Sequence, residues 1–354
     1  MLGSTEAIAR LVWVETPEDP CLVHDPVIHA RFRPNCKSRT KVAEGPWSDN
    51  SYNECGYRTL ESCGPKPPGA IRVSVIGASL SYGYGAPYND IYTTVAANAL
   101  TRQCGRHVEF QNLGIEDGTL LDVYRRTDDA LAIKPDVLLL VAGEGEIGRD
   151  ISPSELAGRN GPPAVQESEE QSAAPARNLE SMRHQLFIQL KQSRAAIVLQ
   201  HFMYQNPETY AKLYLTYGDK ADFMRVPFSP RWEKRLSNFE VILNDQSRKA
   251  QAASVPMVMM IAPTEAQIAV ANSHRSLGVD PEAFSQRVSQ IATRHGVLAI
   301  DLLPSLTGHG DIGSLIYTAD GHLTPNGEHV AGDLLQQRLI SSGIPAFAGC
   351  GAPR

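Results

Sequence analysis

Five segments of the chain have the pattern of short strands that are largely apolar and end in glycine, proline or serine, although Val108–Gly114 also contains Glu109, Gln111 and Asn112. Continuous apolar runs, as opposed to alternating ones, are typical of strands that are covered on both faces of a parallel sheet. We therefore predict five buried strands, which lie within residues 71–79, 108–114, 135–143, 255–263 and 296–304.

Helix-forming stretches separate these strands. They cover Tyr92–Arg102, Leu120–Ile133, Glu240–Ala253 and Pro281–His295. An alternation of strands and helices predicts an α/β fold, with a doubly wound parallel sheet and right-handed crossovers.

Residues 151–237 interrupt this alternation between the third and fourth strands. Pro162–Arg177 is rich in Ser, Glu, Ala and Pro, which predicts a mobile loop, and Leu179–Gln205 is a long helical candidate. The run RAAIVLQHF (Arg194–Phe202) could also form a strand, but the strong helix formers on both sides of it favour a helix. We predict a helical insertion that caps the carboxyl edge of the sheet.

The first 68 residues are rich in Pro, Gly and Asn and predict an N-terminal arm that packs on a main domain (69–345), which a C-terminal tail (346–354) follows. Four of the six cysteines lie in the arm, and none forms a CxxC pair. Their spacing leaves open either reduced thiols or one or two disulfides that pin the arm in an oxidising compartment. The cysteines are Cys21, Cys36, Cys55, Cys63, Cys104 and Cys350.

Charge and hydropathy exclude some classes of protein. The net charge of -6 and the pI near 5.9 argue against a nucleic-acid-binding protein, which usually has a basic face. The N-terminus lacks the pattern of a signal peptide, and no apolar run approaches the roughly 18 residues that span a bilayer. We expect a soluble chain, or the soluble part of a longer anchored or exported protein, with an extracytoplasmic location preferred. The sequence does not indicate an oligomeric state.

Candidate site residues follow the strands, because ligands bind at the carboxyl ends of strands in open α/β sheets. Ser79 lies on a strand-to-helix turn, where its hydroxyl is exposed and its N–H is free, as a nucleophile requires. Gly114 follows the second strand, and Gly143-Glu144-Gly145-Glu146 follows the third. Glycines at these points let the backbone approach a substrate and present N–H donors, whereas we expect the two glutamates to lie in solvent.

A candidate base lies near the C-terminus. Asp320 and His322 come just before a predicted helix that runs to about Leu339, with Thr324 as its N-cap and Pro325 in its first turn. Asp320 can accept a hydrogen bond from one ring nitrogen of His322 while the other ring nitrogen faces a serine. A nucleophilic serine needs such an oriented base at neutral pH.

The order of these motifs, from the first strand to the last helix, resembles that of the SGNH/GDSL hydrolase superfamily. The resemblance implies a flavodoxin-like three-layer sandwich with a five-stranded parallel sheet, to which the arm and the helical insertion are added. It implies that Ser79 is the nucleophile, His322 the base and Asp320 the acid of a catalytic triad. It also implies an oxyanion hole, for which we assign the N–H groups of Ser79, Gly114 and Gly145.

Three features depart from the superfamily's usual pattern. The usual Gly-Asp-Ser is Gly77-Ala78-Ser79, and the Asp-to-His spacing is one residue shorter than the commonest one, as in the polysaccharide O-acetylation branch. The usual Gly-x-Asn is Gly143-Glu144-Gly145, so the side chain that normally donates to the oxyanion is missing. Loss of one such donor typically lowers the rate on the order of 100- to 1000-fold.

The resemblance implies hydrolysis of a carboxylic ester, with an acetyl or short acyl group on a carbohydrate or small alcohol as the substrate. It implies no cofactor and no metal. Two alternatives remain open. One is an O-acyltransferase that uses the same triad to acylate a carbohydrate, and the other is a catalytically silent protein that binds a glycan or a partner.

Overall fold

The structure is a computed structural model that describes residues 2–160, 193–216, 218–273, 277–308 and 311–351. Its strands are β1 (Leu22–Asp25), β2 (His29–Phe32), β3 (Lys37–Lys41), β4 (Trp47–Ser51), β5 (Ile71–Gly77), β6 (Val108–Asn112), β7 (Val137–Gly143), β8 (Met257–Ala262) and β9 (Leu298–Asp301). Its α-helices are α1 (Leu2–Val12), α2 (Ser79–Tyr82), α3 (Tyr92–Cys104), α4 (Leu120–Ala132), α5 (Glu144–Ile147), α6 (Pro153–Ala157), α7 (Arg194–Tyr204), α8 (Pro207–Leu215), α9 (Pro230–Ala252), α10 (Glu265–Ala271), α11 (Ala283–Arg294), α12 (Leu303–Leu306) and α13 (Pro325–Ser341).

The central sheet contains five parallel strands in the order β6-β5-β7-β8-β9. Every residue of β5 and of β7 is buried, which explains why β7 is apolar without alternation. In β5 the buried residues include Arg72 and Ser74, whose polar atoms are hydrogen-bonded. The order is that of a flavodoxin-like, doubly wound sheet. All five predicted strands are present, and the predicted α/β fold class with a five-stranded parallel sheet is confirmed.

Helices cover both faces of the sheet and complete the three layers. Helices α3 and α13 pack on each other on one face, while α4, α9 and α11 pack on the other. Among the four predicted helices, one end differs by more than two residues: the helix expected to begin at Glu240 begins at Pro230. The hydroxyl of Ser229 caps it by accepting the N–H of Trp232, so α9 begins inside the segment predicted as an insertion.

The N-terminal arm consists of α1 and two antiparallel hairpins, β1–β2 and β3–β4. Its Phe32 ring stacks on Tyr82 of α2 with 5.1 Å between the ring centroids, so the arm packs next to the predicted nucleophile. All six cysteines are paired, which selects the disulfide alternative and adds a third bridge. The bridges are Cys21–Cys36, Cys55–Cys63 and Cys104–Cys350. Two of them lie in the arm, and the third joins the end of α3 to the C-terminal tail.

The described part of the insertion is helical. The run RAAIVLQHF lies in α7, as predicted, and α8 packs on α10, which follows β8. The insertion therefore lies at the carboxyl edge of the sheet. The predicted loop Pro162–Arg177 and the first part of the helical candidate Leu179–Gln205 lie outside the described residues. Of the helices that are described, none is long and apolar enough to cross a membrane.

Candidate active site

The predicted nucleophile lies on a sharp turn at the carboxyl end of β5. The strand ends at Gly77, and Ser79 is the first residue of α2. A Cβ atom on Gly77 would lie 2.5 Å from the carbonyl oxygen of Val141 and equally close to Ser81 Cβ, so only glycine fits here. The N–H of Ser79 has no acceptor within the helix, because the first N–H groups of any helix lack one. The turn therefore presents a hydroxyl and a free N–H donor together.

Three side chains from the two ends of the domain form one hydrogen-bonded chain. The Ser79 hydroxyl donates to Nε2 of His322 at 2.8 Å, and Nδ1–H of His322 donates to Oδ1 of Asp320 at 2.6 Å. The predicted N-cap is confirmed, because the Thr324 hydroxyl accepts the N–H of Gly327 at the start of α13. This cap fixes the point at which the loop ends and holds His322 directly before the helix.

The surroundings of His322 make it a stronger base than a free histidine. Burial alone would lower the pKa of His322, but the hydrogen bond to Asp320 and the negative charges of Asp320 and Glu265 outweigh burial and raise this pKa above its ordinary value. The ring of Tyr84 lies 4.8 Å from the imidazole, between centroids, and limits its rotation. The side chains of His322 and Asp320 are 21% and 24% exposed, so water reaches one side of the pair.

A cavity of about 220 Å³ opens beside Ser79 and His322. Its walls come from the β7–α5 turn, the β8–α10 turn and Tyr214 of α8, so the insertion contributes to the site as a cap would. Sequence reasoning did not find Tyr214 or Glu265. Glu265 is the first residue of α10, three positions after β8 ends, and the rule that ligands bind at the carboxyl ends of strands would have found it.

Gly145, which the sequence predicts as an oxyanion donor, lines the same cavity as Ser79. It is exposed and is the second residue of α5, so its N–H has no acceptor within the helix. No atom of the described residues lies within 4 Å of the position that a Cβ atom would occupy on Gly145. The backbone is thus open to a substrate at the place where the family pattern has an asparagine.

Gly114 lies elsewhere, and its predicted role does not fit the structure. Its N–H donates to Oδ1 of Asn112 at 2.9 Å, because the Asn112 side chain folds back over the loop. A Cβ atom on Gly114 would lie 2.5 Å from the backbone nitrogen of Tyr82, so the residue packs behind α2 and not in the cavity. Gly118 on the same loop faces the residue before the nucleophile, since a Cβ atom there would lie 3.7 Å from Ala78 Cβ.

The expectation that Glu144 and Glu146 lie in solvent was wrong. Glu146 is 7% exposed, and its carboxylate accepts the N–H of Gly143 at 2.8 Å, because the single turn of α5 folds the side chain back on the strand end. Glu144 lines the cavity. Burial, and then the charge of nearby Glu265, raise the pKa of Glu144 to about 7.

The structure also brings together three side chains that could hold a metal ion, which the sequence did not predict. They are Glu61, His107 and Glu109, and their ligand atoms lie within 4.8 Å of one another. Among the described residues this is the group with metal-ligand spacing. However, Arg72 forms a buried ion pair with Glu109 and already balances its charge. The group also lies at the amino end of β6, at the opposite edge of the sheet from Ser79.

Comparison with protein-family models found no match, and comparison with curated proteins found no relative. Solved structures do match. A G-D-S-L family protein from Desulfitobacterium hafniense is 14% identical, with a TM-score of 0.40, over 75% of this chain and 98% of that one. The acetyl-xylooligosaccharide esterase Axe2 from Geobacillus is 12% identical, with a TM-score of 0.40, over 76% and 94%.

A third match is the psychrotrophic esterase EstA from Pseudoalteromonas sp., which is 12% identical, with a TM-score of 0.39, over 77% of this chain and 97% of that one. Each of these three matches covers more than nine tenths of the other chain. This chain is similar in structure to proteins of the GDSL family and to esterases.

Proposed function

We propose that the protein is a serine hydrolase that cleaves a carboxylic ester through an acyl-serine intermediate. The observation that carries this proposal is the chain of hydrogen bonds from Ser79 through His322 to Asp320, with lengths of 2.8 and 2.6 Å. A serine hydroxyl is a weak nucleophile at neutral pH, and an oriented imidazole is the arrangement that activates it.

In the acylation step, Ser79 Oγ attacks the ester carbonyl carbon while Nε2 of His322 takes the hydroxyl proton. Asp320 stabilises the imidazolium that forms. The N–H groups of Ser79 and Gly145 donate to the carbonyl oxygen as it becomes negative, and such preorganised donors are a large part of catalysis in acyl transfer. The bond between the carbonyl carbon and the alcohol oxygen then breaks, and the alcohol leaves with the proton from Nε2.

In the deacylation step, a water molecule takes the place of the alcohol. His322 removes one proton from this water while the oxygen attacks the acyl carbon, and the bond to Ser79 Oγ breaks. The proton returns from Nε2 to Ser79 Oγ, so the enzyme regains its first state and a carboxylic acid leaves. A sugar hydroxyl in place of water would give acyl transfer by the same steps.

The size and charge of the cavity support a small, uncharged acyl group. Its volume of about 220 Å³ is below the range of roughly 300–1,000 Å³ that is usual for small-molecule pockets. Glu144 and Glu265 line it, so an anionic acyl group or alcohol would be repelled. We therefore favour an acetyl or short acyl ester of a carbohydrate or small alcohol. Three disulfides favour an oxidising compartment.

The test is turnover of p-nitrophenyl acetate by wild type, Ser79→Ala and a control, Ser81→Ala. Ser81 lies on the same helical turn, is fully buried, and its hydroxyl is without a partner among the described residues. We expect Ser79→Ala to lose turnover and Ser81→Ala to keep it. Wild-type turnover in Ser79→Ala would remove this serine from the mechanism.

Two further measurements separate the alternatives. A fluorophosphonate probe labels an activated serine, so a wild-type protein that stays unlabelled would be a silent scaffold. An acetyl ester supplied together with an oligosaccharide acceptor separates hydrolysis from transfer. A hydrolase releases free acetate, whereas an acyltransferase yields acetylated oligosaccharide.

A further inference from the structure

The loop that carries the catalytic acid is held by a carboxylate from the N-terminal arm. Oε2 of Glu44 accepts the backbone N–H groups of Ala319 at 3.0 Å and of Asp320 at 2.8 Å. Glu44 lies between β3 and β4, some 276 residues away from Asp320 along the chain. Hydrogen bonds to an ionised acceptor are stronger than those between neutral groups. The arm thus makes two charge-assisted bonds directly to the backbone next to Asp320.

The same carboxylate also binds the insertion. Its Oε1 accepts Nδ1–H of His201 in α7 at 2.6 Å, and the Thr318 hydroxyl donates to the backbone carbonyl of His201 at 3.2 Å. The side chain of Glu44 is fully buried. Three segments that are distant in sequence therefore meet at Glu44, and each of its oxygens has a donor.

The loop itself has little else to fix its tip. Two backbone bonds close its base, from Tyr317 N–H to the His322 carbonyl at 2.8 Å and from Gly321 N–H to the Tyr317 carbonyl at 2.7 Å. Within the described residues, Glu44 is the acceptor for the N–H groups of Ala319 and Asp320 at the tip. The Asp320 side chain is 24% exposed, so the backbone on which it is mounted decides where its carboxylate points.

We propose that Glu44 is a positioning residue for the catalytic acid: it holds the backbone at Asp320 so that the carboxylate stays on Nδ1 of His322. This inference rests on the proposed function of the triad. Glu44 acts through Asp320 and is absent from the described lining of the cavity, so it does not touch the substrate.

The test is Glu44→Gln, which has nearly the same shape but cannot accept the bonds that both carboxylate oxygens now accept. The matched control is Asp49→Asn on β4, which makes the same change of charge in the same arm at a side chain that is 84% exposed. Both variants are first checked for wild-type melting temperature and for three intact disulfides. A displacement of about 1 Å in a catalytic group can lower the rate about 100-fold.

For Glu44→Gln we expect kcat for p-nitrophenyl acetate to fall about 10- to 100-fold, while KM changes less than about twofold. We also expect the acidic limb of the pH profile to move to lower pH, because a weaker bond to Asp320 lowers the pKa of His322. The other carboxyl groups that face His322 are those of Glu265 on α10, Glu328 on α13 and Glu146 on α5, and this substitution leaves all three in place. Asp49→Asn should match the wild type.

A Glu44→Gln protein with the kcat and pH profile of the wild type would overturn the proposal, as would an equal loss in Asp49→Asn. The pKa of His322, followed by NMR on the ring protons and assigned with His322→Gln, reports on Glu44 without any turnover. If the wild type hydrolyses no ester, the proposed function fails, whereas an unchanged His322 pKa in Glu44→Gln refutes the role of Glu44.

Discussion

Replacing Asp320 by asparagine removes the negative charge that faces His322 and leaves the shape of the side chain almost unchanged. In the wild type, Oδ1 accepts the Nδ1–H bond at 2.6 Å. The asparagine carbonyl can still accept this bond, but the amide can also turn and donate to Nδ1, which puts the ring proton on Nε2 and stops Nε2 from accepting the Ser79 proton. In either orientation the variant loses the charge that stabilises the imidazolium in the transition state.

The structure allows the size of this loss to be worked out. Opposite unit charges about 4 Å apart interact by about 4 kcal/mol at an effective dielectric constant of about 20, which is an upper limit here because Asp320 is 24% exposed. Hydrogen bonds to charged groups contribute about 1.5–3 kcal/mol. Since about 1.4 kcal/mol corresponds to a factor of ten, we expect the loss of this charge alone to lower kcat/KM about 10- to 140-fold.

The assay is the pH dependence of kcat/KM for p-nitrophenyl acetate. The base must be neutral, so activity rises as the pH passes the pKa of His322. Asp320 raises this pKa, so the acidic limb should lie at lower pH in Asp320→Asn than in the wild type. Asp90→Asn is the matched control, because Asp90 pairs with His329 at 3.0 Å on the surface. A loss of less than about threefold, with the limb unmoved, would refute the role assigned to Asp320.

Two further predictions concern buried glutamates. Burial raises the pKa of Glu328 from 4.5 to about 8. Between these two pH values the folded protein binds one proton more than the unfolded chain does. The free energy of unfolding therefore falls as the pH rises from about 4.5 to about 8. Glu328→Gln should therefore reduce the loss of melting temperature between pH 5 and 8.5 by about 2–5 °C, and an equal loss in both proteins would contradict this. Glu144, with its pKa of about 7, should make the cavity more negative at pH 8 than at pH 6. In the wild type, the ratio of kcat/KM for acetylthiocholine to kcat/KM for its neutral tert-butyl isostere should be about fivefold higher at pH 8 than at pH 6. In Glu144→Gln this ratio should not depend on pH.

The fold could be predicted because its signals are local. β7 and β8 are short apolar runs, and the alternation of strands with helices follows directly from the chain order. Ser79, Asp320 and His322 could be predicted because each follows or precedes a recognisable element, and the order of these elements resembles a known family. The Thr324 cap is local in the same way, and the structure confirms it.

Features that depend on contacts between distant segments could not be read from the sequence. Gly114 has the expected position along the chain, but the side chain of Asn112 takes its N–H, and no pattern of residues shows such a bond in advance. The burial of Glu146 depends on the conformation of a single helical turn. Tyr214 reaches the cavity only because α8 packs on α10, which no local pattern of residues indicates.

The arm contacts both the helix that begins with Ser79 and the loop that carries Asp320, two members of the proposed triad. The guanidinium of Arg58, which is fully buried, donates to the carbonyl groups of Tyr82 and Gly83 at the end of the helix that begins with the nucleophile. Glu44 accepts the N–H groups beside the catalytic acid. The cationic Arg58 therefore binds carbonyl oxygens at the end of the Ser79 helix, and the anionic Glu44 binds N–H groups beside Asp320. Two disulfides within the arm restrict the segments that carry these charges. The 2.8 Å contact between Ser79 Oγ and His322 Nε2 thus depends on the first 68 residues as well as on the sheet.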